Sequence, residues 1–467
     1  MKQRYSRDPV TNRSLRHSVR DGAAYAVMLG SGETYFSAFA IFLKASTAQI
    51  GFLASVPALL ASFAQLLSAW LGHSFGNRKA IILLGASLQA LIWIPMSLLP
   101  WLESDYVVEI FIICVTLYYA FGNLAAPQWS SLMGDLVAEK KRGRYFAFRT
   151  RISSMTSFLA LVAAGMILHF FDSHLATKTG YLILFSVAFF SRLVSVYHLI
   201  KMHDPAGHVA AIEMPVEKLT WKQLKQSQFA GFSLYFALIQ FSVALGSPFF
   251  SIYLLRDLGF SYVEFMACTA ATVFMQFLTL NRWGLISDIF GNRIILSLCG
   301  SLIPFVPFFW LLSSNFYYLM VAQAFGGIIW AGFTLSASNF LYDLIPPNKR
   351  ATYMAAHSVL GSIGVFFGAL LGGYLGSVMP AQYIILGYEI NLVSQLYNVF
   401  ILSFILRAIT SFLLIPKLKE IRRVKPVSIR RLIFRIVRFN SLSGLNFEVI
   451  SSRKKTVQTE AAKKNGS

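Results

Sequence analysis

The strongest constraint in this 467-residue chain is an apolar run that recurs along almost its whole length. Each run has the roughly 20 residues that an α-helix needs to cross the hydrocarbon core of a bilayer. Twelve runs are predicted, at 22–43, 47–71, 80–101, 106–133, 146–171, 180–201, 229–255, 261–283, 294–313, 316–343, 352–379 and 395–416. We therefore expect an all-α membrane protein with twelve transmembrane helices.

The composition excludes a water-soluble globule. Only 13% of the residues are charged, whereas soluble domains carry about 25%. A net charge of +21 would suggest a nucleic-acid partner in a soluble protein, but in a membrane protein Lys and Arg gather in cytoplasmic loops. We expect no nucleic-acid partner and no cofactor. Cys114, Cys268 and Cys299 lie inside apolar runs without metal-ligand spacing, so we expect them to pack in the core.

Basic residues fall almost entirely on alternate connections between the runs. The opposite connections contain only Lys44, Lys178 and Arg256. Because cytoplasmic loops are enriched in Lys and Arg, this pattern predicts an inner-membrane protein with both termini in the cytoplasm. The first run, 22–43, is longer than the core of a signal peptide, so it is interpreted as a retained helix.

The chain also repeats itself. The sequence Phe-Gly-Asn-Arg at 75–78 recurs 215 positions later at 290–293, and Arg192 is matched by Arg407 at the same offset. At an offset of 208, residues 135–145 match residues 343–353 in an Asp, a Lys-Arg pair and a Tyr. The repeat predicts two pseudo-symmetric six-helix bundles, an architecture of secondary transporters.

The repeat and the charge pattern divide the chain into five segments. We expect a cytoplasmic segment at 1–21, bundles at 22–202 and 229–416, a cytoplasmic linker at 203–228 and a basic tail at 417–467. Within the tail, about 427–440, Arg residues alternate with an apolar helical stripe. Such a helix is typical of binding to anionic lipids of the inner leaflet.

Two connections carry a recognisable pattern of small, acidic and basic residues. Between the eighth and ninth runs it comprises Gly284, Asp288, Gly291 and Arg293. This loop resembles the signature of the major facilitator superfamily, and the resemblance covers roughly residues 15–416. The first copy is degraded, because His73 stands where the family has Asp.

The resemblance implies that these loops, and those after the fourth and tenth runs, form a cytoplasmic gate. Its candidate residues are His73, Gly76, Arg78, Asp135, Arg142, Gly284, Asp288, Gly291, Arg293, Asp343 and Arg350. His73 predicts a weaker or pH-responsive first latch; the alternative is an ordinary polar loop residue. For the other loops, the alternative is a simple excess of basic charge, which does not explain the two matched aspartates.

Glu33 is the leading candidate for proton coupling. It lies about halfway along the first run, beside Gly30 and Gly32. An ionisable group within a span costs at least about 2.5–3.5 kcal/mol on insertion scales, so it requires a reason. The functional hypothesis is proton exchange; the alternative is a neutral Glu that hydrogen-bonds a neighbouring helix.

Other polar and aromatic residues are candidates for the solute cavity or for structure. The family resemblance assigns cavity positions to Tyr35, Tyr119, Asn123, Gln128, Trp129, Gln240, Trp330, Asn339 and His357. Aromatic rings can stack on an organic solute, but rings at helical spacing also pack in cores. Arg192 and Arg407 lie on helices that are peripheral in the family, so we expect structural roles.

These features together favour a monomeric secondary transporter of a small organic solute, coupled to protons, in efflux or uptake. A primary pump would require a nucleotide-binding partner, and the chain has no phosphate-binding Gly-Lys-Ser/Thr loop. A non-transporting receptor or a subunit of a larger membrane complex is the remaining alternative. No clustered catalytic residues indicate an enzyme.

Overall fold

The structure is a computed structural model that describes residues 8–75, 77–138, 141–204, 228–345, 350–385 and 388–420. Gly76, most of the predicted linker and the predicted tail helix at 427–440 lie outside the described residues. The first half contains α1 (Pro9–Ser31), α2 (Phe36–Phe42), α3 (Thr47–Phe75), α4 (Arg78–Leu91), α5 (Trp93–Leu98), α6 (Val107–Leu136), α7 (Arg142–Ser173) and α8 (Thr177–Ile200).

The second half repeats this arrangement. It contains α9 (Gln228–Ala244), α10 (Phe250–Ile252), α11 (Tyr262–Phe290), α12 (Asn292–Leu302), α13 (Phe305–Leu312), α14 (Phe316–Leu344), α15 (Arg350–Val378) and α16 (Leu396–Leu414). A short antiparallel hairpin, β1 (Gln382–Ile385) and β2 (Tyr388–Asn391), joins α15 to α16, with Gln382 opposite Asn391.

Within the described ranges, eleven helices are long and apolar enough to cross a membrane. The twelfth span is the first one, where α1 and α2 are separated by a turn and α1 is mixed in polarity. The predicted fold class, a membrane protein of two six-helix bundles, is confirmed.

The first span is longer and less regular than the sequence predicts. It begins at Pro9, where Asp8 caps the helix by accepting hydrogen bonds from the backbone amides of Val10 and Thr11. Proline at the first helical position and an Asp cap both favour a helix start. The helix ends before Gly32, and Glu33–Tyr35 form a 3₁₀ turn. A Cβ on Gly32 would lie 2.3 Å from the Trp93 ring, so the break occurs where the backbone approaches a buried indole.

The two halves pack against each other at one end of the molecule. We call this the outer end; it contains the connections at 43–46, 174–176 and 258–261. There α3 contacts α15, and α7 contacts α11. A Cβ on Gly51 would lie 2.8 Å from the carbonyl oxygen of Ala369 and 3.0 Å from Cα of Gly373. The opposite end, which contains Arg78, Arg142 and Arg293, is called the basic end.

The glycines of α15 form two interfaces. Gly364, Gly368 and Gly372 face α9 of the same half, where added Cβ atoms would lie 2.1–2.3 Å from backbone oxygens. Gly373 and Gly376 face α3 of the other half instead. Small residues permit such close helix packing within a membrane. One stripe thus holds the second bundle together and also forms part of the contact between the bundles.

Candidate functional site

Glu33 lies at the break of the first span, and its position follows from that break. The 3₁₀ turn directs the side chain toward α6, where the Tyr118 hydroxyl donates a hydrogen bond of 2.7 Å to Oε2 of Glu33. Tyr118 is fully buried and packs edge-on against Phe36 and Trp93. This packing fixes the phenol, so one oxygen of the carboxyl group has a preorganised donor.

A cavity of about 330 Å³ adjoins the Glu33 side chain. Small-molecule sites usually occupy about 300–1,000 Å³. Its wall comes from the first span, α3 and α6, all in the first half, and is mostly apolar. The lining residues are Glu33, Phe36, Ser37, Ile50, Leu53, Ala54, Pro57, Ala58, Val115 and Tyr119. We call this the Glu33 cavity. It joins one acid and one phenol to a surface that suits an apolar solute.

The structure brings Glu33 and Tyr119 together but distributes the other cavity candidates of the first half. Tyr35 is buried and its hydroxyl donates to the Leu161 carbonyl oxygen at 2.8 Å. Asn123 accepts a hydrogen bond from Gln65. Gln128 donates to the Ser68 carbonyl oxygen. These three side chains hold helices together, whereas Trp129 stacks beneath the guanidinium of Arg149.

The candidates of the second half lie apart from the Glu33 cavity. His357 is buried between Phe232 and Phe236 and lies 3.0 Å from the Ser233 hydroxyl. Trp330 packs edge-on against Phe333. Gln240 and Asn339 are half-buried on α9 and α14. The second half thus contributes an aromatic cluster around His357, whose ring has an aromatic and hydroxyl environment.

At the basic end of the first half, Arg78 connects three elements. Its guanidinium lies 2.6 Å from Asp135 at the end of α6 and 2.6 Å from Asp204 after α8, and it also donates to the Ser131 hydroxyl. The Arg78 side chain is only 3% exposed. Arg142 turns back on α6 and donates to the Gly134 and Val137 carbonyl oxygens. These contacts join helices of one half.

The second half carries a reduced copy of this network. Asn292 donates to Asp343 at 3.0 Å, which is the pair equivalent to positions 77 and 135 of the first half. Gly291 has φ of 86°, a conformation that favours glycine, and the backbone amide of Arg293 donates to Glu420. Gly284 lies in loosely packed surroundings, and Asp288 is exposed. The side chains of His73 and Arg350, like Gly76, lie outside the described residues.

The Arg78 network predicts a stability effect. Arg78→Gln leaves two carboxylates without their shared cation, and losing one partner of a buried ion pair costs about 3–5 kcal/mol. Because Asp135 is 49% exposed, we expect about 2 kcal/mol, seen as earlier thermal unfolding in detergent. The matched control is Arg293→Gln, the same repeat position with an exposed side chain. Equal melting temperatures for both variants would contradict this role of Arg78.

The two intramembrane arginines differ in their partners. Arg407 is fully buried; it donates to the Ser247 hydroxyl at 3.2 Å and faces the backbone carbonyl oxygens of Ser242, Val243 and Ile303 at 3.3–3.5 Å. Arg192 donates to the Ser195 hydroxyl at 2.8 Å and lies over the Tyr25 ring. The repeated position therefore carries a cation held mainly by backbone oxygens in one half and a cation held by side chains in the other.

Several residues that the structure places in polar contacts of the first half are not among the predicted candidates. Tyr118, whose hydroxyl donates to Glu33, is one of them, although its neighbour Tyr119 is a predicted cavity residue. Asp21 ends the predicted cytoplasmic segment 1–21 and Arg149 lies near the start of the fifth run, yet they lie 3.3 Å apart and are largely buried. The four-residue spacing of Asp21 and Tyr25 was the available signal, because residues four apart share one helix face.

The two six-helix bundles and the family match below define the class of this molecule as a membrane transporter. The chain belongs to the MFS_1 like family, whose model matches residues 25–385. No curated protein matches the chain in sequence. The family and the structural relatives below are transporters, not enzymes.

Solved structures share this fold at low sequence identity. The D-xylose–proton symporter has a TM-score of 0.65 at 14% identity, with 88% of this chain and 98% of that chain covered. The nucleoside transporter NupG has a TM-score of 0.60 at 13% identity, with 88% and 100% covered. A bacterial homolog of the human lysosomal transporter Spinster, inward-facing and occupied, has 0.59 at 16%, with 80% and 83% covered.

Proposed function

We propose that this protein is a proton-coupled secondary transporter of a small organic solute that works by alternating access. The observation that carries the proposal is a cavity with one acid, Glu33, in a molecule whose halves meet at the outer end. Two similar bundles that rock about a central region expose it to each side in turn.

The charge pattern indicates which end of the molecule faces the cytoplasm. Basic loops favour the cytoplasm, so the basic end faces the cytoplasm of the inner membrane and both termini lie there. The outer end is closed by α3 against α15 and by α7 against α11. The structure then corresponds to an inward-facing state.

Glu33 is the proposed coupling group. An ionised carboxylate within a span is costly unless it is paired, and the hydroxyls of Tyr118 and Tyr119 stabilise it by charge-assisted hydrogen bonding. A proton or a cationic solute can supply the remaining compensation, and the two then compete for one site. The apolar wall of the Glu33 cavity suits the organic part of such a solute. We propose an organic monocation as the preferred solute.

The test uses purified protein in liposomes with a pH gradient and a clamped membrane potential. The solute panel holds organic monocations together with nucleosides, D-xylose and peptides, which are named for solved structures that share this fold. We expect an organic cation to accumulate against its gradient, and a protonophore to abolish the accumulation. A non-transporting receptor would bind without flux, and binding without flux across the panel would contradict the proposal.

A further inference from the structure

A second polar cluster lies in the first half, between Glu33 and the basic end. Asp21 of α1 is buried, and both of its oxygens accept hydrogen bonds. Arg149 of α7 donates to Oδ2 at 3.3 Å. At Oδ1, the Ser195 hydroxyl donates at 2.7 Å and itself accepts from Arg192 at 2.8 Å. The Asp21 carboxylate therefore contacts the Arg149 guanidinium directly and the Arg192 guanidinium through the Ser195 hydroxyl.

The charges of this cluster do not balance. Two arginines against one aspartate leave one positive charge, at a site where Arg192 is 5% exposed and Asp21 is 3% exposed. A buried charge without a counterion is strongly unfavourable. Aromatic faces offer partial compensation, since Arg149 lies 4.3 Å from the Trp129 ring and Arg192 lies 4.8 Å from the Tyr25 ring. These contacts stabilise a cation but provide no anion.

Three buried donors around this pair also have no acceptor in the part of the chain that the structure describes. They are Nε of Arg192, the indole Nε1 of Trp129 and Oγ of Ser153. Ser153 follows Arg149 by one helical turn, so both lie on the same face of α7. A buried donor left unpaired costs about 1–3 kcal/mol. Excess positive charge and unpaired donors at one place both indicate a missing acceptor with negative charge.

We infer that the Asp21–Arg149–Arg192 cluster is an anion-binding site that takes one compact monoanion, a carboxylate or a halide. The anion lies beside the two guanidiniums and accepts from the donors that Asp21 leaves unpaired. Ser153 of α7 and Arg192 of α8 lie on helices that pack together with α1, and Trp129 reaches Arg149 from α6; this close packing favours a compact ion. Arg149 is 18% exposed, and access from the basic end is consistent with the contact of the halves at the outer end.

The cluster predicts opposite effects for its two charge types. Asp21→Asn removes the resident carboxylate and leaves two uncompensated guanidiniums, so the anion binds about tenfold more tightly. Arg192→Gln removes the excess charge and one donor, so the anion binds about tenfold more weakly. A merely structural ion pair would be weakened by both changes and would create no anion dependence.

The experiment measures the melting temperature of the full chain in detergent as acetate or chloride replaces isethionate, a bulkier anion, at constant ionic strength. We expect a saturable rise for the wild type. A larger rise with acetate identifies a carboxylate site, and an equal or larger rise with chloride identifies a site for simple halide ions. Either result supports the inference. No rise with either ion overturns it.

Variants that keep the positive charge separate the loss of anion binding from a general loss of folding stability. Arg192→Lys retains the cation but loses the Nε donor, and we expect severalfold weaker anion binding. The matched control is Arg407→Lys, the same repeat position, whose side chain faces backbone carbonyl oxygens. Its anion dependence should equal that of the wild type. Equal effects of the two lysine variants, or weaker binding by Asp21→Asn, would overturn the assignment.

Discussion

Glu33→Gln is expected to abolish accumulation driven by a pH gradient while still allowing downhill equilibration of the solute, with weaker binding because the cation loses its carboxylate partner. A gradient of one pH unit is worth about 1.4 kcal/mol per proton, which sustains about a tenfold accumulation when one proton is exchanged for one solute. Glutamine preserves the size of the side chain and can still meet Tyr118, but it does not titrate at physiological pH. The variant should therefore equilibrate the solute without concentrating it.

The control for this prediction is Glu109→Gln. Glu109 lies at the start of α6, is exposed and accepts a hydrogen bond from Gln49 at the outer end. Its replacement should leave the accumulation unchanged. Full accumulation by Glu33→Gln would show that the proton is carried elsewhere in the molecule.

Gly51→Leu is expected to hold the outer end open and to block transport. A Cβ at this position already lies 2.8 Å from the Ala369 carbonyl oxygen, so a leucine cannot be accommodated without separating α3 from α15. A shift of about 1.4 kcal/mol between the two states changes their ratio about tenfold. Transport requires both states, so net flux should fall at least about tenfold.

Chemical labelling measures this change in the ratio of the two states without the need for a known solute. Thr47→Cys places a thiol at the buried start of α3, beside Gly376 and Arg256. In the Gly51→Leu background, a membrane-impermeant maleimide should modify it about tenfold faster, while the native cysteines stay buried. Gly231→Leu is the matched control, since no atom lies within 4 Å of its added Cβ. Unchanged labelling with Gly51→Leu would contradict the role of this contact.

The fold was predictable because a transmembrane helix is determined largely by the apolar composition of one continuous segment. Apolar length and basic loops predicted the helices, and the repeat predicted two bundles. The helix break at Gly32 was harder to predict from the sequence, because it depends on contact with the Trp93 ring of another helix. The start of α1 at Pro9 likewise followed from capping by Asp8, although charge alone had suggested a segment outside the first helix.

The site was predictable only where a single residue contradicts its surroundings. Glu33 stood out because a carboxylate within a span is unusual. Its partner Tyr118 did not, because 20 tyrosines occur in the chain and only three-dimensional packing selects one. Asp21 and Arg149 were hidden for the same reason, as each lies near a charged segment and their pairing spans 128 positions. The opposite case is found for predicted cavity residues whose polar groups instead hydrogen-bond between helices, namely Tyr35, Asn123 and Gln128.

Alternating access is tested most directly by distances between spin labels at the two ends of the molecule. One pair spans the halves at the basic end, with Arg144→Cys in α7 and Leu285→Cys in α11. A second pair spans them at the outer end, with Leu175→Cys and Tyr317→Cys. All four positions are exposed. A third pair, Leu175→Cys with Tyr106→Cys, stays within one half and serves as control.

In lipid nanodiscs we expect two distance populations for each pair across the halves. Their weights should change in opposite directions when the pH is altered or when Gly51→Leu is introduced, while the control pair keeps one distance. This result would establish that one end closes as the other opens. A single unchanged distance at both ends, at every pH and in Gly51→Leu, would contradict the proposed mechanism.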